Sequence, residues 1–297
     1  MTTATLKNIA VVGGTGDLGH VIVDQLAAAG IFNLVVITRG AHAKTFPPGV
    51  KIVAADYDLT VAFYGFDAVV CVVPGHLEAL LLRILEAAIA AEVKRFIPSE
   101  FDSDHRNPSA QSVPLSASKI RVDEALKKAA AAGRIEYTSI LGGPWNEWLM
   151  TCDTGMCLPK RKFYIHQDGD IRFGPSTRKA FGDAVVGVLK RPDATRNQIL
   201  TIEVINLTQN RIVELVKEAL PDTEIEVINV STKERYERGV QKLLSGGFDA
   251  SVIEDIVLRF VYGPELQLPF DTDATNELLG VQRMTEVDFK ELVKTLA

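Results

Sequence analysis

The chain alternates short apolar runs with segments of helical period, and this alternation restricts its fold more than any other feature. Runs rich in valine and isoleucine have the length and composition of buried strands, and they lie at residues 8–13, 33–39, 50–56, 67–73, 94–98 and 135–141. The segments between them repeat apolar residues three and four apart, as helices packed on a sheet do. The sequence therefore predicts an α/β fold in which helices cover a doubly wound parallel sheet.

Beyond residue 150 the regular alternation stops. Residues 162–174 predict a hairpin that turns at Asp168 and Gly169. Residues 197–206 predict a strand that rejoins the sheet.

The remainder of the chain is mostly helical in pattern, with Thr208 and Thr285 placed as N-caps. We therefore expect a sheet domain over residues 1–155, with a return near 180–206, and a smaller, mostly helical domain over 156–297.

Composition excludes several classes of function. The chain has 32 basic and 38 acidic residues, a formal charge of −6 and no long basic run, which is unlike a nucleic-acid-binding protein. Cys71, Cys152 and Cys157 form neither a disulfide framework nor a metal-binding pair, so we expect a reducing compartment and no metal. The N-terminus has no leader pattern and no apolar run is long enough to cross a bilayer, which predicts a cytoplasmic protein without a membrane partner.

The junction of the first strand and first helix carries the pattern G-x-x-G-x-x-G, with glycines at 13, 16 and 19. Small residues there allow backbone N–H groups to approach a pyrophosphate, and the helix N-terminus favours negative charge. A plain tight turn is the alternative. The position after an N-terminal strand favours a dinucleotide cofactor and a Rossmann sheet.

The residues after the second strand indicate which dinucleotide binds. The strand ends in "ITRG", with Arg39 where a ribose-binding carboxylate would mark NAD. Arg39, helped by Lys44, suits a 2′-phosphate, so NADPH is expected over NADH, although a solvated surface arginine has the same sequence. Asp56, at the end of the third strand, is either a neighbour of the adenine or a turn residue.

The proton donor is less obvious. Many nicotinamide-dependent reductases have a tyrosine four residues before an active-site lysine, but Leu115 stands four residues before Lys119. Leucine has no proton to give, so that mechanism is excluded. Lys119 is either an acid or base with a lowered pKa, a charged group that stabilises an anion, or a solvated helix lysine.

Several segments together resemble one family. The strings "GGTGDLG", "TRG", "RFIPSEFD" and "IEYTSILGGPW", with Lys119 followed by "IRVDEALKKA", resemble the isoflavone reductase and phenylcoumaran benzylic ether reductase group of the NmrA-like, atypical short-chain dehydrogenase/reductase family. The resemblance covers roughly the first 150 residues. Beyond them only the order of the secondary-structure elements is similar, with "KAFGDAVVGVL" and "DTDATNELLGV" resembling two later segments of the family. It implies an NADPH-binding domain, a small substrate-binding domain and a pocket between them.

The same resemblance implies roles for individual residues. It puts the cofactor against the residues Gly13, Thr15, Gly16, Asp17, Leu18, Arg39, Lys44, Ser99, Glu100, Phe101 and Lys119. Lys119 matches the family's active-site lysine, and Phe101 would lie near the nicotinamide. The family's usual glycine after that phenylalanine is Asp102 here, which is a departure.

Substrate contacts are predicted from chemistry alone. Asp102, Asp104 and His105 form either a proton relay or a solvated loop. Trp145, Trp148 and Met150 either line an aromatic pocket or pack a domain junction. His166, on the predicted hairpin, is expected at the surface.

These expectations combine into an NADPH-dependent reductase that transfers hydride to a small aromatic or unsaturated secondary metabolite, as a monomer or homodimer. Two alternatives stay open. One is a non-catalytic NADP(H)-sensing regulator of the NmrA type, and the other is an enzyme of the same fold that catalyses a rearrangement or isomerisation.

Overall fold

The computed structural model describes residues 6–40, 45–55, 59–153, 155–263, 265 and 272–297. The strands within these ranges are β1 (Asn8–Val12), β2 (Asn33–Thr38), β3 (Lys51–Ala54), β4 (Ala68–Cys71), β5 (Arg95–Ile97), β6 (Glu136–Leu141), β7 (Met156–Cys157), β8 (Lys162–His166), β9 (Gln198–Thr201) and β10 (Glu226–Val230). Seven of them form one sheet in the order β3-β2-β1-β4-β5-β6-β9, and every pair is parallel.

The sheet confirms the predicted Rossmann-type fold. All six predicted strands are present, with ends within two residues of the prediction, and β9 joins the sheet beside β6 as expected. The chain starts in the middle of the sheet at β1 and crosses over to β4 after β3. The carboxyl ends of β1 and β4 therefore flank the crevice where ligands of such sheets bind.

Helices cover both faces of this sheet. The helices of the described residues are α1 (Asp17–Ala28), α2 (Leu59–Phe63), α3 (Glu78–Ala90), α4 (Ser116–Ala131), α5 (Asn146–Leu149), α6 (Arg178–Lys190), α7 (Gln209–Ala219), α8 (Thr232–Leu244), α9 (Ala250–Tyr262), α10 (Asp273–Leu279) and α11 (Glu286–Leu296). Apolar residues of α1 and α6 share one buried cluster with the sheet, and those of α2, α3 and α4 share a second cluster on the other face. In the described part of the chain, none of the helices is long and apolar enough to cross a membrane.

The second sheet differs from the predicted hairpin. Its order is β10-β8-β7, and β8 pairs with β10 in parallel and with β7 in antiparallel register. The chain does turn at Gly169, but the residues that follow leave β8, and Phe173 bridges Leu207 instead. The prediction of a hairpin at this turn is wrong because Asn210, on α7, donates hydrogen bonds to Asp168 and Asp170 and holds the turn against that helix.

The helices after β9 begin where their caps predict. Thr208 accepts a hydrogen bond from the backbone N–H of Arg211, and Thr285 forms a reciprocal capping box with Asp288. The buried cluster beneath α1 and α6 continues without a break into the apolar residues of α7 and α11. The division at residue 155 stays a prediction.

A fully buried arginine holds the sheet together at its amino-terminal edge. Arg95, at the start of β5, is 0% exposed. Its guanidinium donates to the hydroxyls of Thr138 and Thr195, to the carboxylate of Glu136 and to the carbonyl of Pro192. The side chain thus ties β5 to β6 and to the turn that leads into β9, and its charge is balanced where it is desolvated.

We expect Arg95→Lys to lower the free energy of unfolding by about 2–4 kcal/mol, because an ammonium cannot reach these four acceptors in the geometry of a guanidinium fork. Urea denaturation measures the loss. Arg196→Lys is the matched control: Arg196 approaches the same Glu136 at 3.5 Å but its side chain is 50% exposed, so about 0.5 kcal/mol or less is expected. Equal losses for the two variants would contradict the assignment.

Candidate functional site

The glycine turn at the carboxyl end of β1 has two kinds of glycine. Gly13 has a φ of +85°, and a Cβ there would collide with the carbonyl of Val72; a Cβ on Gly19 would collide with the carbonyl of Gly13. The fold itself requires glycine at these two positions. At Gly16 the backbone is extended, with φ −74°, and a Cβ would meet its nearest atom at 3.4 Å. The fold therefore does not itself require glycine at position 16.

A cleft of about 590 Å³ opens beside this turn, over the carboxyl ends of β1, β2 and β4. Gly13, Thr15 and Gly16 form one wall, and the exposed side chains of Arg39 and Arg83 contribute the positive charge. The sequence pointed to Arg39 but not to Arg83, which is distinguished only by being a basic residue within the apolar stretch of α3.

The other residues assigned to the cofactor are placed as follows. Asp17 is the first residue of α1, and Leu18 is buried in the core, so only its backbone is available to a ligand. Ser99 is half-buried just beyond β5. Lys44 and Asp56 lie outside the described residues.

A larger concavity, of about 790 Å³, lies at the opposite edge of the sheet and is lined by surface residues such as Glu92, Lys94 and Arg134. It is remote from the glycine turn and from Lys119. In a parallel sheet of this order the carboxyl edge is where loops converge on a ligand, so we take the smaller cleft as the site.

Lys119 is buried beside the cleft rather than solvated. It is 8% exposed, and its Nζ donates to Oδ2 of Asp102 at 2.6 Å. Its stem crosses the loop after β4 at Gly75, where a Cβ would lie 2.5 Å from the Cε of Lys119. Ser118 donates to the carbonyl of Gly75 and fixes this crossing. Sequence reasoning missed Gly75, although "PG" directly after a strand indicates a turn there.

The loop between β5 and α4 places His105 near the same carboxylate. His105 Nε2 lies 3.4 Å from Oδ1 of Asp102, and Nδ1 lies 2.9 Å from Oγ of Ser116. His105 is 7% exposed and its ring contacts that of Phe260, with 4.7 Å between centroids. The alternative of a fully solvated loop is therefore wrong for His105.

Burial and charge determine the protonation states in this group. Burial raises the pKa of Glu100 to about 7, although Lys119 opposes the shift. Burial would lower the pKa of Lys119, but Asp102 and Glu100 outweigh it and hold that pKa above its ordinary value. Burial lowers the pKa of His105 in spite of Asp102. At neutral pH the cluster thus contains a charged lysine and a neutral histidine, which favours the charged state among the alternatives for Lys119.

Burial opposes ionisation of Asp102 as well, but Lys119 and His105 together hold its pKa well below the ordinary value. Its side chain remains 42% exposed, so the ion pair opens to solvent on the Asp102 side.

The aromatic residues after β6 divide by position. Trp145 donates its indole N–H to the carbonyl of Phe101 at 2.9 Å, directly before Asp102. The Phe101 ring is buried against Phe181. Trp148 is half-buried, and Met150 is 1% exposed inside the core. Trp145 thus lies at the site, Met150 packs the core, and their roles toward a ligand stay predictions.

His166 is not at the surface as expected. It is 1% exposed, because β8 is the middle strand of the second sheet and α8 and α9 cover it. Its Nδ1 lies 3.0 Å from the hydroxyl oxygen of Thr232, and its ring stacks on Tyr262. His166 therefore belongs to the packing of the C-terminal part of the chain.

The chain matches known proteins along most of its length. The model of the NmrA-like family matches residues 5–238. Oxidoreductase poxI from Penicillium oxalicum is 32% identical over 91% of this chain and 88% of its own length. Isoflavone reductase homolog P3 from Arabidopsis thaliana is 29% identical over 71% of this chain and 74% of its own.

Solved structures share the fold. AtPrR2 with NADP⁺ and (+)pinoresinol superposes with a TM-score of 0.77 at 21% identity, covering 99% of this chain and 100% of that one. The leucoanthocyanidin reductase–NADPH complex from Vitis vinifera gives a TM-score of 0.77 at 16% identity, covering 97% of this chain and 99% of that one.

The raised pKa of Glu100 predicts a pH-dependent stability. The folded protein holds this proton to about pH 7, whereas the unfolded chain releases it near 4.5, so ionisation costs stability as pH rises between these values. We expect the free energy of unfolding of Glu100→Gln, relative to that of the wild type, to rise by on the order of 2 kcal/mol between pH 5 and pH 8. Urea denaturation at each pH measures it. Glu124→Gln, an exposed change on α4, should leave the pH dependence of the free energy of unfolding unaltered. Parallel pH profiles for wild type and Glu100→Gln would refute the assignment.

Proposed function

Since this chain belongs to the NmrA-like family, we propose that it is an NADPH-dependent oxidoreductase that reduces a small aromatic or unsaturated substrate. One observation carries the proposal: a cleft with an anion-binding glycine turn ends beside a buried, charged lysine. The loop after β4 joins the two, because Pro74 and Leu77 line the cleft while Gly75 packs on Lys119.

The residues of the cleft fit a dinucleotide. Gly13 and Gly16 leave the turn without side chains, so that backbone N–H groups and the start of α1 face the position of a pyrophosphate. Arg39, directly after β2, and Arg83, on α3, both line the cleft, and they would hold the 2′-phosphate of NADPH by charge-assisted hydrogen bonds. The NADP⁺ and NADPH complexes among the structural neighbours support the same cofactor.

Lys119 supplies the chemistry that the protein adds. Bound NADPH would provide the hydride. As the C–H bond forms at the electrophilic carbon, the displaced electron pair moves onto a substrate oxygen, and the Lys119 ammonium stabilises that charge and donates the proton. An ammonium has three N–H donors and Asp102 accepts one, so the group retains donors for a substrate.

The part of the chain beyond residue 155 is proposed to close the substrate side. It reaches the site at two places: Phe260 packs on His105, and Phe248 lies against His76, with 5.4 Å between ring centroids. Relatives named oxidoreductase and isoflavone reductase homolog support a reductase of small molecules. The three cysteines are buried and are not spaced as a disulfide framework, which suits a reducing compartment, for which we propose the cytoplasm.

Cofactor choice tests the first half of the proposal. We expect NADPH to bind more tightly than NADH. Arg39→Ala should weaken the binding of NADPH by roughly 10- to 100-fold and change the affinity for NADH little, because one charge-assisted contact with the 2′-phosphate is lost. Titration of cofactor fluorescence measures both constants. Arg134→Ala, an exposed change at the opposite edge of the sheet, should alter neither. Equal constants for the two cofactors in the wild type would contradict the prediction.

Turnover tests the second half. A panel of conjugated ketones, isoflavone-like compounds and benzylic ethers is screened by loss of NADPH absorbance. With a compound that is reduced, Lys119→Met should lower kcat by roughly 10²- to 10⁴-fold and keep NADPH binding within a few-fold. Lys128→Met, an exposed change on the same helix, is the matched control.

Two results would replace the proposal. If Lys119→Met is as fast as the wild type, the proton comes from another group. If nothing in the panel is reduced while NADP⁺ and NADPH alter affinity for a protein partner, the chain is a sensor.

A further inference from the structure

The carboxylate of Asp102 lies between two nitrogen atoms of different residues. Oδ2 accepts from Nζ of Lys119 at 2.6 Å, and Oδ1 faces Nε2 of His105 at 3.4 Å. Oδ1 and Nε2 are both inaccessible to solvent, and within the described ranges neither atom makes a hydrogen bond, which leaves their mutual contact at 3.4 Å as the polar contact of each. The two oxygens of one side chain are therefore directed at two different residues of the site.

The partners of His105 determine which nitrogen of its ring carries a proton. An ionised carboxylate only accepts, so Nε2 faces Asp102 favourably when it bears the hydrogen. Nδ1 then accepts from the hydroxyl of Ser116, at 2.9 Å. Phe260 contacts the same ring and restricts its rotation. The geometry thus favours one tautomer of a neutral histidine in one orientation.

We propose that Asp102 is a positioning residue that holds the ammonium of Lys119 with one oxygen and the Nε2–H tautomer of His105 with the other. The proposal rests on the function proposed above only for its catalytic consequence. The three side chains then respond as one unit, and a change at Asp102 alters Lys119 and His105 together.

Other charged groups face Lys119 without replacing Asp102. Glu100 is buried nearby and adds negative potential, and Arg106 adds positive potential. The Arg106 guanidinium is bonded to Asp104 and Asp123, which limits its effect on the lysine. Asp102 is the carboxylate in hydrogen-bond contact with Nζ, so removing its charge should change the titration of Lys119 most.

The first measurement follows Lys119 directly and needs neither cofactor nor substrate. Lysine ¹³Cε is titrated by NMR, with the Lys119 signal assigned by its loss in Lys119→Met. Asp102→Asn keeps the shape of the side chain and removes its charge. We expect the titration midpoint of Lys119 to fall by about one pH unit or more, roughly a tenfold change in its ionisation constant.

Asp104→Asn is the matched control. It removes the same charge from the same loop, but the Asp104 carboxylate bonds to Arg106 rather than to Lys119. The midpoint of Lys119 in this variant should stay within a few tenths of a pH unit of the wild type. A midpoint that is the same in Asp102→Asn as in Asp104→Asn overturns the proposal.

A second measurement uses the wild-type protein, so it stands even if Asp102→Asn folds poorly. Nitrogen-15 shifts of the five histidines, with His105 assigned from the spectrum of His105→Gln, report its tautomer. We expect Nε2–H, and an Nδ1–H tautomer would overturn the assignment.

Activity distinguishes this proposal from the proposed function. With a turned-over substrate, the basic limb of the kcat profile should move to lower pH in Asp102→Asn and not in Asp104→Asn, which a purely structural role would not produce. If no substrate is reduced, the NMR results still decide the role of Asp102. If reduction is found and neither NMR result appears, the proposed function stands and this inference fails.

Discussion

The close approach of α1 to the end of β1 is the contact on which the rest of the molecule depends. A Cβ on Gly19 would collide with the carbonyl of Gly13, and a Cβ on Gly13 would collide with the carbonyl of Val72, so neither position tolerates a side chain. This packing brings the N-terminus of α1 to the edge of the sheet. Helix α1 also packs closely on α6 at Gly182, where a Cβ would meet the side chain of Gln25. Helix α6 in turn packs on α10 at Gly187, where a Cβ would collide with the carbonyl of Leu279. A succession of close contacts at glycines therefore links the cleft to the C-terminal part of the chain.

Charges inside the protein are arranged differently at the two edges of the sheet. At the amino-terminal edge the guanidinium of Arg95 has several fixed acceptors and is fully enclosed. At the carboxyl edge Lys119 has, among the residues that the structure describes, one acceptor in contact, Asp102, which is open to solvent on one side. The first arrangement suits a permanent structural role, whereas the second leaves a buried cation able to interact with a ligand.

The features predicted from the sequence are those that short stretches of chain determine. Strand periodicity, the glycine pattern and the caps at Thr208 and Thr285 depend on neighbouring residues, and the structure has the strands, the turn and the caps where they were expected. The errors concern contacts between distant residues. Strand β8 pairs with β10, more than fifty residues later in the chain, and His166 is buried against Thr232 of α8 and Tyr262 of α9. Likewise, the approach of Gly75 to Lys119 and of Arg83 to the cleft joins segments that nothing in the local sequence relates.

The location of Arg95 has a consequence for how proteins of this design diverge. The side chain fastens the strands at one edge, while the loops that surround Lys119 leave the strands at the other. If the function proposed above holds, insertions or exchanges in the loops after β4 and β5 would change what is recognised without touching the network that keeps the sheet in register. Natural variation, or loop grafting between relatives, would then explore new substrates at little cost in folding.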